Sequence, residues 1–344
     1  MRPIDSLEFP YAQPPAPGAA LELAPGIHWL RMPLPFALDH INLWLIEEGP
    51  GWTLVDTGLG NRATRDLWKS SFDTALGGRP INQIVVTHYH PDHAGNAAWL
   101  CERFSAPLWI TRGEFLTVHA VLHGVASFSA AASSALFRAN GMDPAAAAAL
   151  LARGDLYSKL VPAFPAQHRR LMEGASVKLG GDDWRVIVGY GHAPEHASLF
   201  CERGNVLISG DMLLPKISTN VAVRPIDPMA DPLGLFLASI RRYRELPEDV
   251  LVLPSHGIPF RGAHLRVAAL EAHHAERLDA LVKACAPAPR SAAELLEVLF
   301  RRKLDSSQMF FAMGEAIAHV HHLLYAKRLH RSVDAYGVAR FSAV

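Results

Sequence analysis

The sequence predicts an α/β protein in which two β-sheets lie between outer layers of helices, an αββα four-layer sandwich, with a small winged-helix domain at its C-terminal end. Two sets of strand-like runs, rich in β-branched and aromatic residues, stand on either side of a helical stretch. Helical patterns lie between these sets and after them, which is typical of layered packing around two sheets. The length of 344 residues suits a main domain with a smaller companion.

The first set of strands follows a segment rich in proline and alanine. Residues 1–25 therefore predict an extended N-terminal arm on the surface. The turn signal Glu48-Gly49-Pro50-Gly51 predicts a hairpin between two of the strands that follow. A helix is expected over 61–75, and the strand-like runs cover residues 27–32, 42–47, 52–56, 81–87 and 107–111.

A helical insertion is predicted over about 114–175, where alanine-rich stretches interrupt the strands. Two interpretations stay open: a lid that sets substrate size, or a packing and dimer surface. The chain then returns to strands that are expected to form antiparallel meanders. These strands cover residues 176–179, 184–188, 198–201, 205–209 and 250–254, and helices are expected over 231–245 and 263–284. The catalytic domain is thus predicted over 26–285.

The last part of the chain, residues 290–344, predicts a winged-helix module after the linker 286–289. Ser291 and Glu294 form a capping-box pattern that opens a helix to about residue 300. Further helices are expected from Asp305 and over about 314–329, and a two-stranded wing over about 333–341. This tail has eight basic and five acidic residues, too small an excess to predict nucleic-acid binding. A packing or dimerising role is favoured, and a homodimer is left open by this reading.

The overall composition is that of a soluble globular protein. Formal net charge is zero, so nothing in it calls for nucleic acid or an acidic partner, and a small-molecule substrate is expected. Three widely spaced cysteines indicate buried thiols in a reducing compartment. The N-terminal sequence has no signal-peptide pattern and no apolar run has the length of a membrane span. A cytoplasmic location is the resulting expectation.

One short run carries most of the chemistry that the sequence predicts. Residues 87–95 read Thr-His-Tyr-His-Pro-Asp-His-Ala-Gly, with three imidazoles and one carboxylate where a strand ends and a helix begins. His88 and His90 are two residues apart, so in extended backbone they point to one side and can share a metal ion. Asp92 and His93 follow a turn and could hold a second ion nearby. Such a cluster is costly to bury without a metal.

Further candidate ligands each follow a predicted strand and have glycine close by, where the backbone can turn tightly. They are His192, Asp211 and His256. With the first cluster they make five histidines and two aspartates. That set is sufficient for two zinc-like ions with one bridging carboxylate.

Together these motifs resemble the metallo-β-lactamase superfamily. Residues 88–93 match its HxHxDH signature without departure, and Asp56 in Asp-Thr-Gly matches its first short motif. His192, Asp211 and His256 match the third, fourth and fifth motifs in order. The resemblance covers about residues 26–285, and the tail is similar to the winged-helix appendage of a branch that contains hydroxyacylglutathione-hydrolase-like proteins.

The resemblance implies a ligand set and a reaction. The first ion would be held by His88, His90 and His192. The second would be held by Asp92, His93 and His256, with Asp211 as the bridge. Two Zn²⁺ ions are expected, with iron or manganese as alternatives. A metal-bridging hydroxide would then attack a small ester, thioester or lactone, with Asp92 or Asp211 passing a proton to the leaving group.

Three other assignments complete the set of hypotheses. A phosphodiesterase or endoribonuclease could use the same ions, and an iron-dependent oxygenase of the persulfide-dioxygenase kind shares much of the motif set. A Gly-x-Ser-x-Gly nucleophile motif and a phosphate-binding loop are not found in the sequence, as expected for metal-dependent hydrolysis. Asp56 is predicted to support the site by a hydrogen bond to a ligand imidazole or a loop amide.

Overall fold

A computed structural model describes residues 6–11, 13–36, 38–152, 154–300 and 304–344. The chain divides into two compact units, each assembled from segments that are distant in sequence. The sheet unit is drawn from residues 1–122, 157–219 and 239–267. The helical unit is drawn from residues 123–156, 220–238 and 268–344.

A seven-stranded sheet contains the first strands of the sheet unit in sequence order. Strands β1 to β4 are antiparallel, and β4 to β7 are parallel. The hairpin predicted around Gly49 is confirmed between β3 and β4. The strands are β1 (Ala20–Ala24), β2 (Ile27–Pro33), β3 (His40–Glu48), β4 (Gly51–Val55), β5 (Ile81–Val85), β6 (Leu108–Thr111) and β7 (Arg169–Leu171).

Two of these strands depart from the sequence-based expectation. The end of the predicted surface arm, Ala20–Ala24, is the edge strand β1 and pairs with β2. The predicted helical insertion 114–175 contains β7, which pairs with β6. Both strands are short, with the sequences Ala-Leu-Glu-Leu-Ala and Arg-Arg-Leu, so neither shows the alternation by which a half-buried strand is recognised.

A five-stranded sheet forms the second layer of the sheet unit, in the order β12-β11-β10-β9-β8. Strands β8 to β11 are an antiparallel meander, as predicted, and β12 lies parallel to β11. The strands are β8 (Ser176–Leu179), β9 (Asp182–Gly189), β10 (His196–Cys201), β11 (Val206–Gly210) and β12 (Leu251–Pro254).

Nine α-helices precede the C-terminal part of the chain among the described residues. They are α1 (Arg62–Asp73), α2 (Pro91–Ala94), α3 (Ala97–Phe104), α4 (Arg112–Leu122), α5 (Ala130–Ala139), α6 (Pro144–Ala152), α7 (Tyr157–Leu160), α8 (Pro232–Arg241) and α9 (Ala263–Cys285). Of these, α5 and α6 belong to the helical unit. A 3₁₀ turn, Arg242–Glu245, continues α8. Two sheets flanked by helices were predicted from the sequence, and this architecture is confirmed.

Side-chain alternation along β3 shows how the seven-stranded sheet is covered on both faces. Leu43 and Leu45 belong to an apolar core that includes Trp68 of α1. Trp44 and Ile46 point to the opposite face, into a core that contains side chains of both sheets. Because successive residues of a strand face opposite sides, one buried strand supplies both cores.

The C-terminal part of the helical unit contains α10 (Leu296–Leu299), α11 (Ser306–Tyr325) and the antiparallel pair β13 (Leu329–Val333) and β14 (Ala339–Ala343). The capping box is formed: the Ser291 amide donates to the Glu294 carboxylate, 2.7 Å away. The two helices expected from Asp305 and over 314–329 are in fact the single helix α11, so that division was wrong. Gly314 is accommodated inside the helix, where a Cβ would lie 2.7 Å from Ala222.

Among the residues that the structure describes, no helix combines the length and the apolar character needed to cross a membrane. The longest helix, α9, has 23 residues and carries charged side chains along its length.

Candidate metal centre

The candidate site begins at the edge where β4 and β5 end. These strands are parallel, so the residues that follow them meet at the same edge of the sheet. Asp56 follows β4 with φ of +62°, and its carboxylate accepts hydrogen bonds from the Thr87 amide and from Nδ1 of His93, both at 2.8 Å. The predicted hydrogen bond between Asp56 and a candidate ligand imidazole is confirmed. This bond leaves Nε2 of His93 to face the site.

One group of potential ligands gathers around His88. Nε2 of His88 lies 2.8 Å from Nδ1 of His90 and 3.2 Å from Nε2 of His192. Nε2 of His192 is in turn 3.4 Å from Oδ2 of Asp211. Four ligand atoms from these residues lie within 4.8 Å of one another, so they could hold a metal ion.

A second group lies beside the first. Nε2 of His256 is 3.5 Å from Oδ2 of Asp92, and Nε2 of His93 is 3.8 Å from the same oxygen. These three residues also offer ligand atoms within 4.8 Å of one another. His256 donates from Nδ1 to the carbonyl of His40 at 2.8 Å, which leaves Nε2 for a metal.

Asp211 stands between the two groups. It follows β11, and His256 follows β12 closely, so the parallel pairing of these strands brings both residues to one edge. Oδ2 of Asp211 faces His192, whereas Oδ1 lies 3.6 Å from Nε2 of His93 and 3.4 Å from Nε2 of His256. Each oxygen of this carboxylate thus faces a different group.

Two buried atoms of the site make no hydrogen bond within the part of the chain that the structure describes. They are Nε2 of His93 and Oδ1 of Asp211. An unpaired polar atom in a buried position is costly, and a cation between these two atoms would remove that cost. The residues therefore fit a metal ion.

Electrostatics at the second group favour positive charge. Burial opposes protonation of His93, but the carboxylates of Asp56, Asp92 and Asp211 outweigh it and raise its pKa to about 10. Burial likewise opposes protonation of His256, and Asp211 and Asp92 raise its pKa above the ordinary value. A pocket that stabilises a proton so strongly also stabilises a metal cation at the same nitrogens.

His196 supports the site without belonging to either group. Its Nε2 accepts the backbone N–H of Asp211 at 3.1 Å, so it holds the backbone of a candidate ligand. Burial lowers the pKa of His196 to about 3, with His192 acting in the same direction, so its imidazole stays neutral and can accept this bond.

Sequence reasoning missed Glu114, in the first turn of α4. This fully buried carboxylate accepts the backbone N–H of Tyr89 at 2.8 Å and that of Glu195 at 2.6 Å. Burial raises the pKa of Glu114 to about 8, while the two amides stabilise its anion and act in the opposite direction. No motif marks it in the sequence. The available signal was a glutamate near the start of a mostly apolar helix that directly follows a buried strand.

Solved structures are similar to this chain over nearly its full length. It is similar to a beta-lactamase domain protein from Burkholderia ambifaria, with 47% identity, a TM-score of 0.93 and coverage of 99% of both chains. It is also similar to the metallo-beta-lactamase family protein TTHA1429 from Thermus thermophilus, with 29% identity and a TM-score of 0.78 over 94% of this chain and all of that one.

Sequence comparison agrees with the structural likeness. The chain is 25% identical over 298 residues to the probable metallo-hydrolase YqjP of Bacillus subtilis, which covers 85% of this chain and 90% of that protein. Residues 278–344 match the model described as "Metallo-beta-lactamase-like, C-terminal domain". Residues 37–256 match the model of the Metallo-beta-lactamase superfamily. The chain belongs to this superfamily and is a hydrolase of its fold.

Proposed function

We propose that this hydrolase uses two divalent metal ions held by the two ligand groups. His88, His90 and His192 hold the first ion, Asp92, His93 and His256 hold the second, and Asp211 bridges them. The observation that carries the proposal is the orientation of Asp211, whose two oxygens face different groups. Imidazole and carboxylate ligands suit Zn²⁺, with Fe and Mn as the alternatives.

The reaction that we propose is hydrolysis of a small ester, thioester or lactone. When bound, a pair of divalent ions lowers the pKa of a shared water and polarises an electrophilic carbonyl group. Asp211 holds its oxygens towards both ligand groups, so its part is to fix their spacing. The Asp92 side chain is more exposed, at 19% against 10% for Asp211, which makes Asp92 the better proton carrier to a leaving group.

Charge supports a small and weakly charged substrate over a polyanion. Formal net charge is zero, so the molecule as a whole lacks the positive field that draws in RNA or other nucleic acid. The relatives named probable metallo-hydrolases agree with hydrolysis. Within the superfamily we favour the hydroxyacylglutathione-hydrolase-like branch, a winged-helix role for the tail and a cytoplasmic location.

Metal analysis and a substrate panel test the proposal. Purified protein should contain about two ions per chain and hydrolyse thioesters, lactones or esters faster than phosphodiesters or RNA. Asp211→Ala should reduce kcat/KM by more than about 100-fold, beyond the effect of a residue that only supports a ligand. Asp183→Ala, at an exposed position of β9, is the matched control. One tightly held iron with oxygen consumption, or full turnover by Asp211→Ala, would contradict the proposal.

A further inference from the structure

The backbone of Tyr89, between the two ligands His88 and His90, is held on both sides. Its N–H donates to Oε2 of Glu114 at 2.8 Å. Its carbonyl accepts the hydroxyl of Tyr157 at 2.5 Å. With both backbone groups of this residue engaged, the bend of the chain between the two imidazoles is fixed.

Glu114 also holds the loop that carries His192. Its Oε1 accepts the backbone N–H of Glu195 at 2.6 Å. The carbonyl of Glu195 accepts the Thr111 hydroxyl, and its carboxylate accepts the Gly113 amide, both at 2.8 Å. A Cβ at Gly113 would lie 2.8 Å from the Glu195 carboxyl carbon, so glycine permits this close approach. The loop is thereby tied to the junction between β6 and α4.

One carboxylate thus connects two loops that supply three ligands of the first group. An ionised carboxylate is suited to this task because both of its oxygens accept, and the two converging backbone amides favour that ionised form against the effect of burial. Glutamine in the same place offers one acceptor and one NH₂ donor. It would leave one backbone N–H facing another donor, in a position where water cannot compensate.

We propose that Glu114 is a positioning residue that sets the spacing of His88, His90 and His192 for the first metal ion. The inference rests on the proposed metal assignment, and the hydrogen bonds that Glu114 accepts come from backbone amides and not from ligand side chains. Groups that orient metal ligands typically change metal affinity by about 10- to 100-fold when they are removed. The second group, supported by Asp56 and the carbonyl of His40, should not depend on Glu114.

Co²⁺ titration of variants tests this inference, with binding and the visible absorption spectrum as readouts. The His256→Ala variant lacks a ligand of the second group, so its titration reports Co²⁺ binding to the first group. Adding Glu114→Gln to this variant should lower its Co²⁺ affinity by about 10- to 100-fold and alter the spectrum. The His192→Ala variant lacks a ligand of the first group, so its titration reports Co²⁺ binding to the second group. There Glu114→Gln should change the Co²⁺ affinity by less than about twofold. If a background variant does not fold, the two steps of the wild-type titration serve instead.

Glu315→Gln is the matched control. Glu315 is also a buried carboxylate, but it pairs with Arg277 at 2.9 Å in the helical unit. This control should lower Tm while leaving both Co²⁺ affinities unchanged, so loss of stability alone is separated from loss of positioning.

Three outcomes would overturn the inference: unchanged affinity of the first group in Glu114→Gln, equal loss at both groups, or a wild-type chain that binds fewer than two ions. The last also overturns the metal assignment. Two bound ions without hydrolysis of any ester, thioester or lactone would remove the proposed reaction and leave the positioning role of Glu114 to be decided by the affinities.

Discussion

Gly210 illustrates how single residues place the ligands. It precedes Asp211 with φ of +54°, and a Cβ there would overlap Nε2 of His196, the atom that accepts the Asp211 amide. We expect Gly210→Ala to displace His196, to lower the free energy of unfolding by at least about 3 kcal/mol and to reduce metal content. Chemical denaturation and metal analysis provide the measurements.

Gly49→Ala separates these two effects. Gly49 has φ of +55°, and a Cβ there would meet open space. The same substitution should therefore cost only the left-handed backbone, about 1 to 2 kcal/mol, with metal content unchanged. Equal effects of the two substitutions on stability and on metal content would show that contact with His196 does not matter.

The candidate ligands could be predicted from the sequence because four of them form a short run rich in histidine, and the other three each follow a predicted strand. All seven lie together in the sheet unit, in two groups that share a neighbour, Asp211. The sequence could not identify Glu114, whose part depends on backbone amides of residues far away along the chain. Residue types reveal side chains that can bind a metal, but the supports of those side chains are a property of the fold.

At the scale of elements, the buried strands were predicted from the sequence, but the edge strands of the seven-stranded sheet were not. The strands with β-branched and aromatic runs, such as β5 and β11, were predicted within about two residues of their bounds. The edge strands β1 and β7 are short and lack regular alternation of apolar and polar residues, so pairing with their neighbours identifies them. Helix α11 was predicted as two helices, although Gly314 lies inside it and packs so closely that a Cβ there would lie 2.7 Å from Ala222.

The end of α11 gives a prediction for this element. Lys327 follows the helix with φ of +56°, and the amide of Arg328 donates to the carbonyl of Leu323 at 2.9 Å, as in helices that end in a left-handed residue. Glycine adopts this conformation without strain, so Lys327→Gly should stabilise the protein by about 0.5 to 1 kcal/mol. Thermal and urea unfolding are the measurements. Ala326→Gly, one residue earlier and not left-handed, should destabilise by about 1 kcal/mol; stabilisation by both would contradict this account.

At the scale of the whole molecule, the candidate site is assembled from long-range pairing. Its ligands extend from His88 to His256, and all belong to the sheet unit, although segments of the helical unit interrupt that stretch of chain. Formation of the site therefore requires both sheets to be in place. Local pattern alone could predict which residues belong to the site, but not the division of segments 123–156 and 220–238 into a separate unit.

The pH dependence of stability should reveal a buried histidine pair in the helical unit. Nδ1 of His319 donates to the carbonyl of Glu315 at 2.8 Å, so its Nε2 is an acceptor and takes the N–H from Nδ1 of His274 at 3.2 Å. Burial lowers the pKa of His274 to about 2, with His319 acting in the same direction, and burial lowers the pKa of His319 to about 4. Both rings are therefore neutral in the folded protein under mildly acidic conditions.

In the unfolded chain these histidines have a pKa of about 6.5 and bind protons first as pH falls. The unfolded state then carries more protons than the folded state, so the free energy of unfolding should fall below about pH 6.5, by about 1.4 kcal/mol per pH unit for each histidine. Above that pH both states are neutral, and the pair contributes no pH dependence to the free energy of unfolding.

Urea unfolding of metal-free protein between pH 5 and 8 measures this pH dependence. In His319→Gln, the slope below pH 6 should decrease by about 1.4 kcal/mol per pH unit, because one titrating group is removed, while the slopes above pH 7 coincide with those of the wild type. An unaltered slope in the acidic range would mean that His319 is already protonated in the folded protein, which the hydrogen bond accepted by its Nε2 does not allow.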